Sequence, residues 1–258
     1  MQAPTALPLL PPEPRPAWPY GFWATLGLGV ACLLFWIAIT TDVLVIYASA
    51  DPQIHGIAGL SEKVEHLGAN GFVLGLATII ANPICIALVV LFIWLRRCRV
   101  ADYLGLKRLR AKEVLVSLAV LLLYLMAQDL TTHLLGKPIV PPFMTDAYRT
   151  AGWLPVLVAA LVVAAPAFEE TLFRGFAFQG IAQSRLGPAG AILITAAAWA
   201  GIHMQYDLYG VSAIFVMGLF LGIVRHKTGS LSLTILLHAL SNLGATVETV
   251  IVVDYLGK

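Results

Sequence analysis

The chain has 258 residues, of which 59% are hydrophobic and 12% charged, and its mean hydropathy is +0.86. Soluble domains carry about 25% charged residues, so this composition excludes a water-soluble enzyme and a disordered chain. A net charge of +2 gives no indication of a nucleic-acid partner, and the lipid bilayer is the expected surrounding.

Seven apolar segments approach the length of about 20 residues that a membrane-spanning helix needs. In chain order they cover residues 21–47, 71–95, 113–135, 153–173, 189–206, 210–225 and 231–253. We expect the sixth to be short, because Arg225, His226 and Lys227 follow it. The prediction is an all-α, polytopic membrane helix bundle of about seven transmembrane helices, with one membrane domain at 21–258. Residues 1–20 are proline-rich and are expected to form a cytoplasmic tail.

The three cysteines lie in or beside apolar runs, without the spacing of metal ligands, at Cys32, Cys85 and Cys98. An odd number with this placement favours neither a disulfide framework nor a zinc knuckle. We expect them to be small buried hydrophobic residues.

The loops predict the orientation, because cytoplasmic loops carry an excess of Lys and Arg. Segment 96–112 holds seven of these residues and is assigned to the cytoplasm. Alternation then gives eleven Lys and Arg on the cytoplasmic side and four on the other. We expect a multi-pass protein of a plasma membrane, of the bacterial inner-membrane kind, with its N-terminus inside and its C-terminus outside.

Ionisable side chains at membrane depth cost roughly 2.5–3.5 kcal/mol each and so call for an explanation. Asp42 and Glu248 are close enough to span ends for water to reach them. Asp129 and His133 are four residues apart and are expected to pair with each other, as a structural rather than a functional pair.

Two adjacent carboxylates, Glu169 and Glu170, lie inside an apolar helix. Glu170 is four residues before Arg174, so an ion pair neutralises it. Glu169 is turned about 100° away and has no partner on its own helix. A desolvated carboxylate is suited to act as a base near neutral pH, which is one role for Glu169. The alternative role is a polar clamp between helices.

Two further segments supply histidines. Glu169 lies 18 residues before Gly187 and His203 lies 16 after it, so a helical hairpin turning at Gly187-Pro188 brings both to one depth. His238 and Asn242 share a helix face, and together they suit an oxyanion hole or, alternatively, a hydrogen-bonded pair between helices. Ser241 lies between them but is turned off that face. Because His238 is about seven residues into its span, the site is expected near the cytoplasmic leaflet.

Three motifs on three predicted spans resemble those of the CAAX prenyl endopeptidase and bacteriocin-processing family of intramembrane proteases. Glu-Glu-x-x-x-Arg matches Glu169 to Arg174, and His-x-x-x-Asn matches His238 to Asn242. Phe-x-x-x-His matches Trp199 to His203, with Trp where Phe is usual. The resemblance covers about 153–245, which is the expected catalytic core.

The resemblance implies an endopeptidase that cleaves a peptide or membrane-protein substrate near the cytoplasmic surface. Glu169 and His203 would activate a water, and His238 and Asn242 would stabilise the oxyanion, with Glu170, Arg174 and Trp199 as structural support. The first expectation is that the reaction needs no cofactor. Zinc, held by Glu169, His203 and His238, is the alternative, since two histidines and a carboxylate also suit that metal.

Other functions are compatible with buried Glu and His residues. A transporter or proton relay uses such groups, but it would be expected to show paired halves with broken helices, which the sequence does not show. A catalytically silent membrane scaffold or immunity factor is the third reading. Whether the substrate is prenylated does not follow from the residues.

Overall fold

The structure is a computed structural model that describes residues 20–53 and 56–256. Every regular element in those ranges is helical. The helices are α1 (Phe22–Ser49), α2 (Gly56–Leu67), α3 (Gly71–Leu95), α4 (Val100–Leu104), α5 (Ala111–Leu134), α6 (Pro142–Arg149), α7 (Leu154–Ala182), α8 (Gly187–Gly201), α9 (Leu208–Thr228) and α10 (Leu231–Tyr255). The tail predicted at 1–20 falls, but for its last residue, outside the described residues.

The helical bundle and its approximate helix count are confirmed. Among the described residues, α1, α3, α5, α7, α9 and α10 are long and apolar enough to cross a membrane, and α8 is a shorter apolar helix. The short helix is therefore the fifth, not the sixth as expected. The sixth, α9, continues through its charged last turn to Thr228, where Gly229 ends it in a left-handed conformation.

Helix α7 departs from regular α geometry at two places. Residues Ala160–Ala164 and Thr171–Ala177 form π-helical turns on either side of the segment that carries Glu169 and Glu170. Such turns occur mostly inside α-helices and often at functional sites. The apolar sequence alone predicts helix here but not this wider winding.

One end of the bundle, here called the basic end, is formed by segment 96–110 and the turns 183–186 and 229–230. Segment 96–110 folds back over the helix termini. Gly105 adopts φ +73°, and its carbonyl accepts a hydrogen bond from the Leu231 amide at the start of α10. A Cβ at Gly105 would lie 2.5 Å from the Gly229 carbonyl oxygen, so glycine permits this close approach. The Gln179 amide also donates to the Tyr103 carbonyl.

The other end, here called the open end, is formed by segments 50–53, 56–70, 135–153 and 202–207. It contains α2 and α6, which lie beside the transmembrane helices. Thr150, just after α6, accepts the Gly71 amide at the start of α3, and Tyr148 donates to Asp254 at the end of α10. These contacts hold the loops together at the end remote from segment 96–110.

Large aromatic side chains mark both ends on the outer surface. Trp23 and Trp94 are exposed at the basic end, and Trp153 and Tyr255 are exposed at the open end. Trp and Tyr are enriched where a membrane meets water, so their positions agree with a bundle whose helices cross a bilayer. The chain is accordingly an integral, multi-pass membrane protein.

The main core fills the interior between these ends, nearer the basic end. It is built from aromatic and aliphatic side chains such as Phe168, Phe176 and Leu221. The three cysteines are free, and Cys32 and Cys85 are buried in this core while Cys98 is half-buried. Cys32 and Cys85 are thus buried as expected, whereas Cys98 is not fully buried.

Candidate active site

A cavity of about 800 Å³ lies between α3, α5, α7, α9 and α10. Its wall includes all four residues predicted to carry chemistry: Glu169, His203, His238 and Asn242. Trp199 also lines it, whereas Glu170 and Arg174 lie behind the wall with no exposed surface. The structure therefore brings three distant segments of the chain to one cavity.

Behind the wall, Glu170 and Arg174 form the predicted ion pair. Arg174 Nη1 donates to Glu170 Oε1 at 2.8 Å, and both side chains are fully buried. Arg174 Nη2 donates to the Gly218 carbonyl on α9 at 3.2 Å. A Cβ at Gly218 would lie 3.2 Å from this nitrogen and 3.0 Å from Ala196, so the glycine leaves room for the guanidinium. The pair thus joins α7 to α9.

Glu169 projects into the cavity from the neighbouring position. Its Oε2 accepts a hydrogen bond from Trp199 Nε1 at 2.5 Å. The side chain is 14% exposed, in contrast to the fully buried Glu170. Two adjacent carboxylates therefore have different surroundings, one locked by an arginine and one in contact with the cavity.

Trp199 is the residue on which the site converges. Its ring lies 4.6 Å under the Arg174 guanidinium and makes edge contacts with His203 at 5.3 Å and His238 at 5.0 Å. The indole N–H is a donor that the phenylalanine usual at this motif position would lack. The sequence predicted a supporting role, but the donor to Glu169 was not foreseen.

His203 lies just beyond the end of α8. Its Nδ1 is 2.8 Å from the Trp199 carbonyl oxygen. A carbonyl only accepts, so Nδ1 carries the proton and Nε2 of the neutral ring is an unprotonated base. Glu169 and His203 thus both contact Trp199 and line the same cavity.

His238 lies between the two glutamates. Its Nδ1 is 3.2 Å from Glu170 Oε1, and its Nε2 is 3.9 Å from Glu169 Oε2. With Nδ1 donating to Glu170, Nε2 is a donor only in the imidazolium form.

Asn242 lies one helical turn beyond His238. Its Nδ2 donates to the Leu161 carbonyl at 2.8 Å, within the first π-helical turn of α7. One of its two amide hydrogens is therefore used to fix α10 against α7, and the second is left for a group in the cavity. The neighbouring Ser241 also lines the cavity.

The other intramembrane charges are placed differently from expectation. The described residues contain no ion pair between Asp129 and His133, because His133 faces outward while Asp129 lines the cavity. Glu248 was expected to have a bland position near a span end, but it lines the cavity and interacts electrostatically with Asp129. Asp42 is exposed.

At the open end, an ion pair joins two loops beside the cavity. Lys137 Nζ lies 2.6 Å from Asp207 Oδ2, and Asp207 also caps α9 by accepting the Gly210 amide. The hydrogen bond from Lys137, followed by that from the Gly210 amide, lowers the pKa of Asp207 below its ordinary value. Lys137, Asp207 and Tyr206 were not singled out by sequence; no motif marks them, although Tyr206 stacks on the His203 ring.

The residues do not fit the zinc alternative as they are placed. In the part of the chain that the structure describes, no three His, Cys, Asp or Glu side chains are grouped to hold a metal ion. Glu169, His203 and His238 are therefore not grouped to hold a metal ion. In addition, His238 is already bonded through Nδ1 to Glu170. A mechanism without metal stays a prediction.

The predicted orientation and the predicted depth of the site are mutually incompatible. Segment 96–112 was assigned to the cytoplasm and the cavity to the cytoplasmic leaflet. The start of α10, on which that depth rested, is covered by segment 96–110 through the bond from Leu231 to Gly105. The cavity is instead lined by open-end loops, at 137–144 and 205–207.

Comparison with known proteins supports the resemblance. Residues 151–244 match the family of type II CAAX prenyl endopeptidase Rce1-like proteins, so the predicted recognition is confirmed over that region. A relative from Escherichia coli, described as an uncharacterized 24.3 kDa protein, is 34% identical over 117 residues. That match covers 41% of this chain and 52% of the relative, so the chain spans about half the length of that relative. No solved structure matches the chain.

Proposed function

Because residues 151–244 match a family of type II CAAX prenyl endopeptidases, we propose that this membrane protein is an intramembrane endopeptidase in which Glu169 and His203 activate a water. The observation that carries the proposal is the contrast between the two glutamates. Glu170 is neutralised by Arg174, whereas Glu169 faces a cavity with one hydrogen-bonded oxygen. A carboxylate in that position is able to accept a proton from a water bound between it and His203.

The bond changes of the proposed reaction are those of hydrolysis. The water oxygen attacks the peptide carbonyl carbon as its proton passes to Glu169 or to Nε2 of His203. The carbonyl oxygen takes the negative charge of the tetrahedral intermediate, and the C–N bond then breaks. The same base returns the proton to the leaving nitrogen, so a carboxylic acid and an amine are formed and the enzyme is regenerated.

Donors for the developing oxyanion come from α10. They are the second amide hydrogen of Asn242 and, when the ring carries a proton on it, Nε2 of His238, and both groups line the cavity. Removal of one such donor costs about 10²–10³ in kcat in other hydrolases. Glu170 supports this role, because its contact with Nδ1 fixes the His238 ring.

A covalent route has a weaker basis. Ser241 is the cavity hydroxyl nearest the motif in sequence, but no hydrogen bond joins it to a histidine or glutamate among the described side chains. Nucleophilic serines need such a base at about 2.6–3.2 Å. Water is therefore the proposed nucleophile.

The test is cleavage of a peptide library by the purified protein in lipid nanodiscs. We expect the wild type and Ser241→Ala to cleave, and Glu169→Gln to be inactive while unfolding at an unchanged temperature. A single turnover in H₂¹⁸O should place one ¹⁸O in the new carboxylate. Full activity of Glu169→Gln, a trapped acyl-enzyme, or ion flux in place of cleavage would contradict the proposal.

A further inference from the structure

The cavity takes most of its lining from one half of the long helices. From α3 it takes Leu74, Thr78 and Asn82, which precede the midpoint, and from α5 it takes residues 124–132, which follow it. From α9 it takes residues 209–217, and from α7 it takes 161–169, which end close to the midpoint. In these four helices the lining lies in the half remote from segment 96–110. In α10 the lining runs from 238, before the midpoint, to 249, after it.

The basic end is closed by specific contacts. Arg225, buried near the end of α9, donates through Nε to the Arg174 carbonyl at 2.8 Å and through Nη1 to the Gly229 carbonyl. Leu231 donates to Gly105 across the same junction. None of these residues lines the cavity. A substrate therefore reaches Glu169 from the open end and not through the basic end.

The two ends also differ in positive charge. Ten of the described Lys and Arg residues belong to the basic end: Arg96, Arg97, Arg99, Lys107, Arg108, Arg110, Lys112, Arg185, Arg225 and Lys227. Three belong to the open end: Lys63, Lys137 and Arg149. The rule that places Lys and Arg in the cytoplasm counts residues in short loops and close to the span ends, and all of these residues lie in such positions.

Taken with the proposed function, on which it rests, this asymmetry has a consequence for the substrate. We infer that the catalytic cavity opens to the extracytoplasmic surface, and that the substrates are extended peptide segments on that side. These are exported peptides or the outer juxtamembrane segments of membrane proteins, whose scissile bond enters between segments 137–144 and 202–207. A C-terminal tail that stays in the cytoplasm does not reach Glu169.

Cysteine labelling tests the side of the membrane without relying on activity. Cys32 and Cys85 are fully buried, so a Cys98→Ser protein offers a low background. In it, Met204→Cys, where the native side chain is 77% exposed, reports on the open end, and Leu109→Cys, at 46%, reports on the basic end. In Escherichia coli spheroplasts, a membrane-impermeant maleimide should label Met204→Cys at once and Leu109→Cys after permeabilisation. The reverse pattern overturns the inference, and Leu208→Cys replaces Met204→Cys if that variant does not fold.

Vesicles of known orientation then test the substrate side. A membrane-impermeant peptide library added to right-side-out vesicles should be cleaved by the wild type and not by Glu169→Gln, with loss of cleavage in inside-out vesicles. Cleavage confined to inside-out vesicles overturns the inference. If no peptide is cleaved in either orientation or in detergent, the proposed function fails, and labelling still decides the side to which the cavity opens.

Discussion

The two halves of the bundle are built from the same apolar helices but differ in their interiors. The half at the basic end is closed, and the half at the open end contains the cavity. At the basic end, Arg174 and Arg225 are buried, and their hydrogen bonds join α7, α9 and the start of α10. At the open end, carboxylates and hydroxyls line a cavity of about 800 Å³. The two halves meet at the adjacent residues Glu169 and Glu170. Under the proposed function, the basic-end half would hold the reactive groups in place and the open-end half would admit substrate and water.

The largest expected effect is on catalysis at the open side of this boundary. Glu169→Gln should lower kcat by about 10²–10⁴, the usual contribution of a general base. The amide oxygen still accepts the Trp199 N–H, so we expect the unfolding temperature to be unchanged. Single-turnover cleavage and thermal unfolding in nanodiscs measure both quantities. Equal loss of stability and activity would show that Glu169 belongs to the fixed half instead.

On the other side of the boundary, the main effect should be on stability. Arg174→Met leaves Glu170 buried without its cation, and breaking a buried pair in this way costs about 3–5 kcal/mol. The double variant Glu170→Met with Arg174→Met removes both charges and should recover part of that loss. Unfolding in denaturant measures these differences. A double variant less stable than Arg174→Met would contradict the assignment of Glu170 as a partner of Arg174.

Trp199 connects the halves, and its substitution should have an intermediate effect. Trp199→Phe keeps an aromatic ring near Arg174 and His238 but removes the N–H that Glu169 accepts. Hydrogen bonds to charged groups contribute about 1.5–3 kcal/mol, so kcat should fall by about 10- to 100-fold with little change in KM. Steady-state kinetics separates the two constants. A change confined to KM would mean that Trp199 contacts substrate rather than positioning Glu169.

The smallest effect is expected at the mouth of the cavity. Lys137 lowers the pKa of Asp207, so their pairing adds stability above the ordinary Asp pKa, about 3.9, and loses it as pH falls through the lowered value. Asp207→Asn should therefore lower the unfolding temperature slightly near pH 7, with the difference from wild type vanishing in acid. Both side chains are partly exposed, and salt should reduce the effect. A difference that grows in acid would contradict this sign.

Much of the fold follows from hydropathy, because each long apolar run must satisfy its backbone internally and so becomes a helix. The pairing of Glu170 with Arg174 follows from their spacing of four residues. The π-helical turns of α7 do not, since no residue type marks them. The end of the bundle at which the cavity lies did not follow from the sequence, because depth was counted along α10 alone, while segment 96–110, which covers its start, is distant in sequence.

The position of Asp129 is another feature that spacing along one helix does not predict. Asp129 was assigned to His133 because the two are four residues apart, yet it faces α10 across the cavity. Local spacing predicts which partners are available on one helix. Packing between helices decides which are used, and that depends on the rotation of α5 relative to α10, which no single segment encodes.

Helix α8 has 15 residues, and at 1.5 Å per residue it is about 22 Å long, against roughly 30 Å for the hydrocarbon layer. Its outward face carries Leu193, which is 54% exposed, so lipid meets a hydrophobic wall that is too short. Such hydrophobic mismatch is relieved when the surrounding leaflets thin, at a cost of fractions of a kcal/mol per ångström. A change in the acyl-chain length of the host membrane is therefore expected to act on the turn that carries His203.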